Sequence, residues 1–159
     1  MTPPPSLQET YFADGTCFGC GPANAKGLRI RSLPVGDTPD GEVVADWTPS
    51  KHHEAFEGML NGGIAGALLD CHSNWTAAWH LMKRDRLPRP PCTVTSDFHV
   101  RLTAPTPLGG PLRISARAVS SERPRVTVEA TISASGKVTA TCTGTFVAVK
   151  PGHPAYGRW

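Results

Sequence analysis

The residue patterning predicts an α+β fold, with one long helix packed on a single antiparallel sheet of about five to six strands. Three observations carry it. One run, Gly62 to Lys83, has helical apolar spacing and neither Gly nor Pro after Gly66. Nearly everything beyond it is rich in Val, Thr and Ile and is cut into strand-length pieces. Short turns join those pieces, and short turns make antiparallel neighbours.

The elements follow in order. Residues 1–16 open Pro-rich and polar and predict a flexible arm. Leu28 to Leu33 alternates apolar and polar, the period of a half-buried strand. Glu42 to Trp47 alternates too, after the turn-forming Thr38-Pro39-Asp40-Gly41. A loop over 48–60 leads into the helix, which Lys83 to Pro91 then stops as a stiff, basic connector. Four strands are expected at Thr93–Leu102, Leu112–Ser121, Val126–Ala134 and Val138–Val149. Residues 17–150 read as one domain and 151–159 as a C-terminal tail.

Composition bounds the function. At 159 residues, 39% hydrophobic and 18% charged, the chain suits one globular domain with a sizeable core. A net charge of +3 favours no nucleic-acid partner. No apolar run is long enough for a bilayer, and Met1-Thr2-Pro3-Pro4-Pro5 lacks the basic-then-apolar order of an export signal. A cytoplasmic protein with reduced cysteines is the expectation, and five Cys is an odd number for a disulfide framework.

The most informative stretch is Gly58 to Asp70. A Gly62-Gly63 pair opens the helix, and one carboxylate, Asp70, sits about two turns in. Burying a lone carboxylate on an apolar helix is costly and calls for a partner or a task. Backbone N–H groups at a helix start lie open to a ligand oxygen. Together they suggest an oxyanion site and a carboxylate base. At 3.6 residues per turn, Ile64, Leu68, Cys71, Trp75 and Trp79 form a stripe for the sheet. Gly63, Gly66, Ala67, Asp70, Asn74 and Ala77 form a small-residue stripe opposite, where another surface can approach.

Three stretches resemble hotdog-fold acyl-CoA thioesterases of the phenylacetate-pathway (PaaI-type) group. They are Cys17-Phe18-Gly19-Cys20-Gly21-Pro22 with Lys26-Gly27-Leu28, Asn61-Gly62-Gly63 with Asp70, and Val94 through Val100 with Ala104 to Gly109. The resemblance implies hydrolysis of an acyl-CoA-type thioester, with coenzyme A present only as part of the substrate and no other cofactor. It implies Asp70 as base or nucleophile, the Gly63 N–H as oxyanion donor, and Thr95 assisting the water. Asn61 stands where that group usually carries His; an amide can hydrogen-bond a carbonyl but cannot titrate. Asn61 and Asp70 are nine residues apart, about 13.5 Å along a helix, so one carbonyl cannot meet both ends within one chain. Spacing and resemblance therefore both point to a homodimer with shared sites, and such dimers can pair into a homotetramer.

Gly62, Asn74 and His53 are candidate substrate contacts. Lys83, Arg84, Arg86 and Arg89 read first as a solvated connector, with Arg84 and Arg86 the candidates for coenzyme A phosphates. Cys17 and Cys20 form one C-x-x-C without a second pair, Cys92 and Cys142 being distant in sequence, so no metal is expected. The alternative to hydrolysis is a non-catalytic acyl-CoA-binding hotdog protein. A hotdog hydratase is less supported, since His52, His53 and Glu54 supply no Asp/His pair.

Overall fold

The computed structural model describes residues 1–159. Its elements are α1 (Leu7–Tyr11), β1 (Leu33–Pro34), β2 (Val43–Trp47), a 3₁₀ turn (Lys51–His53), β3 (Glu54–Phe56), β4 (Met59–Leu60), α2 (Gly62–Arg84), β5 (Thr93–Leu102), β6 (Leu112–Glu122), β7 (Arg125–Ala134) and β8 (Lys137–Ala148). Six strands form one antiparallel sheet in the order β1-β2-β6-β7-β8-β5, and β3 pairs with β4 in a small hairpin. This is a hotdog fold: one long helix lies in the curve of one antiparallel sheet. No helix is long and apolar enough to cross a membrane.

Burial alternates along β6 and β7, so their inner face (Leu112, Ile114, Ala116, Val126, Val128, Ala130, Ile132) meets α2 at Leu68, Leu69 and Leu81. The helix itself departs from the two-stripe expectation. From His72 to Met82 it is buried on every side, whereas Gly63, Ile64, Gly66, Ala67, Asp70 and Cys71 keep solvent exposure. The N-terminal segment and the C-terminal tail close over the later turns. Trp75, fully buried, stacks on Trp159 (ring centroids 4.6 Å apart) and lies near Phe12 (6.5 Å). Ala77 is fully buried and Asn74 is 8% exposed, so the small-residue stripe is open only at its N-terminal half.

Residues 28–32 keep the buried-exposed alternation of a strand without pairing as one; the strand proper is Leu33–Pro34. Arg29 at φ 53° takes the left-handed conformation there, which interrupts extended pairing. The expected arm also folds. Ser6 caps α1 and Glu9 returns the bond to the Ser6 N–H (2.7 Å), a reciprocal capping box. Leu7 is buried, and the buried Gln8 side chain bonds Ser32 at both Oγ and N–H (2.9 Å each).

Ser32 passes that network to His72, which is fully buried on the sheet side of α2. Because Val43 O can only accept, His72 Nε2–H donates to it (2.9 Å) and Nδ1 accepts from the Ser32 hydroxyl (2.9 Å). The imidazole is thus held neutral, and burial lowers its pKa from 6.5 to about 4. Below pH 6.5 the unfolded chain takes up a proton that the folded chain refuses, so stability falls with pH until both forms are protonated below about 4. The loss over that window is about 3 kcal/mol. Urea midpoints at pH 7.5 and pH 4.5 check this: the wild-type drop should shrink in His72→Gln, and an equal drop in both would show that His72 does not set it.

Candidate active site

Asp70 lies midway along α2, half-buried on the open face. The Thr95 hydroxyl donates to its Oδ1 at 2.6 Å. Thr93 and Thr95 share one face of β5 by the two-residue period of a strand, and both meet α2, Thr93 at the Asn74 carbonyl and Thr95 at Asp70; the register against β8 shifts only beyond Thr95. Burial raises the Asp70 pKa above the usual carboxylate range, and the Thr95 bond and the nearby Arg158 guanidinium oppose that rise. Asp70, Thr95, Asn74 and Arg158 line one cavity of about 150 Å³. Asn74 Nδ2 donates to Thr93 O (3.3 Å), while its buried Oδ1 has no partner within the chain.

The other half of the expected site lies about two turns or more away. Asn61 is the N-cap of α2, and its Oδ1 accepts from the Gly63 N–H (2.8 Å) and the Ile64 N–H (3.2 Å). The Gly63 donor is therefore engaged by its own cap, and the first helical N–H, Gly62, is left without an acceptor in the chain. Gly62 also lies close to the exposed Leu102 side chain, whose Cδ1 a Cβ there would approach to 2.8 Å unless Leu102 moved. A second, mostly apolar cavity of about 390 Å³ opens here between Phe56, Leu60, Gly62 and Leu102. Seven residues of helix put Gly63 about 10.5 Å from Asp70 along the axis.

His53 contributes its backbone: its carbonyl accepts the Asn61 N–H (2.9 Å), while its ring packs on Trp47 and accepts from the Ser50 N–H (2.9 Å). Arg84 is not brought to Asp70. It sits fourteen residues on, about 21 Å along the helix, bonded to Asp85 and Ser121. Arg86 is exposed just past the helix end at φ 53°.

Three features of the site escape sequence patterning. Arg158 reaches the cavity from the tail, bonds Thr93 O (2.9 Å) and stacks on Trp159. Phe12 and Trp159 wall the same cavity. Cys17 and Cys20 meet Cys71, the residue after Asp70, with Cys17 Sγ 3.7 Å from Cys71 Sγ. An Arg-Trp pair in a tail and a Cys beside the candidate base were the available signals.

No protein-family model matches the sequence, and no curated protein matches it. Solved structures do. A thioesterase superfamily protein superposes with a TM-score of 0.68 at 24% identity, over 83% of this chain and 60% of its own, so the present chain spans under two thirds of that relative. A phenylacetic acid degradation-related protein from Ralstonia eutropha JMP134 is 25% identical, over 81% of this chain and 92% of its own, with a TM-score of 0.64. A Bacillus halodurans protein solved with CoA is 25% identical, over 77% and 76%, with a TM-score of 0.62. The fold shared with the Ralstonia protein over four fifths of this chain, at a quarter of identical residues, is the hotdog fold of thioesterase superfamily proteins.

Proposed function

We propose that the protein hydrolyses an acyl-CoA-type thioester to the free acid and coenzyme A. The observation that carries this reading is the half-buried Asp70 carboxylate, oriented by Thr95 at 2.6 Å and facing a cavity, on the central helix of a thioesterase-superfamily fold. The bound CoA of the Bacillus halodurans neighbour supports coenzyme A as the carrier.

In this mechanism Asp70 Oδ2, the oxygen not engaged by Thr95, takes a proton from water as the water attacks the thioester carbonyl carbon. Direct attack by the same carboxylate is the other course open to it. Negative charge develops on the carbonyl oxygen, and backbone N–H groups at a helix N-terminus receive it. The carbon–sulfur bond then breaks, and the departing sulfur takes the proton that Asp70 accepted, so coenzyme A leaves as the thiol and the carboxylate is restored. Gly62 N–H is the donor free for that task; Gly63 N–H joins it when a substrate oxygen displaces Asn61 Oδ1. Thr95 is a positioning residue, fixing one carboxylate oxygen so that the other faces the water. Asn74, with its open Oδ1, orients water or substrate in the same cavity.

The donors and the base belong to different subunits of a homodimer. The Asp70 cavity, about 150 Å³, is below the roughly 300 Å³ at which small-molecule sites begin, and the larger cavity beside Gly62 does not include Asp70, so neither brings base and donors together around a substrate within one chain. β5 is a ten-residue edge strand with Phe98 43% and Leu102 59% exposed, a surface suited to pairing with a second copy. Bringing two helices together across Gly63, Gly66 and Ala67 sets one chain's N-terminus beside the other's Asp70. Arg84 and Arg86 would then meet coenzyme A phosphates only by leaving their present partners or by reaching into a neighbouring subunit's site. Pairing of dimers into a tetramer extends the same reading.

A panel of short, medium, long and aromatic acyl-CoA thioesters, read by free-thiol release, tests the activity. Asp70→Asn should lower turnover on the best substrate by about 10²-fold or more; near wild-type turnover would remove Asp70 from the mechanism. Thr95→Val should lower kcat by about tenfold with little change in KM, the scale of a lost hydrogen bond to a charged group. Thr95→Ser should retain kcat, and an unaffected Thr95→Val would show that the 2.6 Å bond does not matter to the reaction.

A further inference from the structure

Cys17, Cys20 and Cys71 come from two distant parts of the chain, yet their Sγ atoms all lie within 4.8 Å of one another. Cys17 and Cys71 are 3.7 Å apart, too long for a bond and close to the separation of about 3.8 Å between two sulfurs on one tetrahedral ion with 2.3 Å metal–sulfur bonds. The backbone is shaped to bring them there. A Cβ at Gly19 would fall 2.3 Å from Cys71 Sγ, and one at Gly21 would fall 2.5 Å from both Cys17 N and Gly15 O. Only glycine at these two positions lets the loop fold this tightly and press on α2. A turn bond from Gly21 N–H to Cys17 O (2.8 Å) closes the loop. Trp75 Nε1–H donates to Cys20 Sγ at 3.4 Å, the kind of outer contact that steadies a ligating thiolate.

A disulfide uses two sulfurs, and a hydrophobic wall needs none so close. Three converging thiols suit a cation. We propose that Cys17, Cys20 and Cys71 form a three-thiolate site for a soft divalent cation, zinc, on the wall of the Asp70 cavity. All-sulfur ligation selects zinc-class ions over magnesium or calcium. The three sulfurs border the cavity that Asp70, Asn74 and Arg158 also line, so the fourth coordination position faces that cavity rather than a fourth cysteine. Each thiol gives up its proton on binding, and three thiolates with one divalent ion leave a single negative charge. Arg158, in the same cavity wall, is the cation placed to balance it. The ion ties the Cys17–Cys20 loop to α2 one residue past Asp70.

The lone C-x-x-C of the sequence is poor zinc chemistry by itself; the helix supplies the third ligand. The site does not depend on thioester hydrolysis, and its test reads metal rather than turnover. The full chain is purified under reductant without chelator, then stripped and reconstituted with zinc sulfate or cobalt chloride. Elemental analysis should find one zinc per chain, and the cobalt form should show thiolate-to-metal charge-transfer absorption. Cys71→Ser and Cys17→Ser should lose both signals, while Cys92→Ser, outside the cluster, should keep them. Near-ultraviolet circular dichroism verifies that each variant compared is folded. Zinc should also raise the melting temperature of the wild type and slow alkylation of its thiols. The proposal is overturned if reconstituted wild type holds no metal, if Cys71→Ser retains it, or if Cys17 and Cys71 are found as a disulfide after reconstitution under reductant.

Discussion

A straight α-helix advances about 1.5 Å per residue and does not bend back on itself, and the organisation of this protein follows from that. Its helix carries a carboxylate and a capped N-terminus, both needed by the proposed chemistry, at fixed stations about 10.5 Å apart. No side-chain rearrangement within one chain closes that gap. What the fold does is hold each station rigidly and leave the face between them uncovered. The sheet fixes the helix from one side through Leu68, Leu69 and His72, so that Asp70 points away from the core.

The two ends of the chain decide how much of the open face survives. Phe12 and Trp159 close over Trp75, and the later helix turns disappear from solvent. Closure stops at Asp70 and Cys71, which become the rim of a small cavity instead of core. The buried line Gln8–Ser32–His72–Val43 explains why the N-terminal segment stays in place. Each of its polar groups is satisfied by the next, and an orphaned member would cost about 1–3 kcal/mol. Backbone bonds from Leu28 N–H to Phe18 O (2.7 Å) and from Ile30 N–H to Gly19 O (3.1 Å) hold the Cys17–Cys20 loop beside α2.

Whatever is periodic or local was legible in the sequence. The helix starts at the Gly-Gly pair and ends one residue past the expected Lys83, and β5 spans Thr93–Leu102, as its Val and Thr content and bounding turns predict. Asp70 and Asn61 at the helix entrance were readable as candidates from their spacing along one helix, whereas Thr95 entered only through the family resemblance. The capping box of α1 was also on the page, as Ser6-Leu7-Gln8-Glu9, but Pro-rich flanks masked it. The convergence of Cys17 with Cys71 spans 54 residues, and Arg158 reaches Asp70 from 88 residues away; no local period encodes either. Nor does sequence reveal that Asn61 occupies the Gly63 N–H, because that depends on the rotamer of a capping side chain.

The central claim is that one active site draws on two chains, and subunit mixing tests it most directly. Asp70→Asn removes the base, and Gly63→Pro removes a donor N–H at the second helical position. Each variant alone should be strongly impaired. Mixed and allowed to exchange, about half the dimers are heterodimers, each with one doubly damaged site and one intact site. Roughly a quarter of wild-type activity should then return. No recovery between folded variants shown by native mass spectrometry to exchange subunits would contradict the account and place the whole site within a single chain.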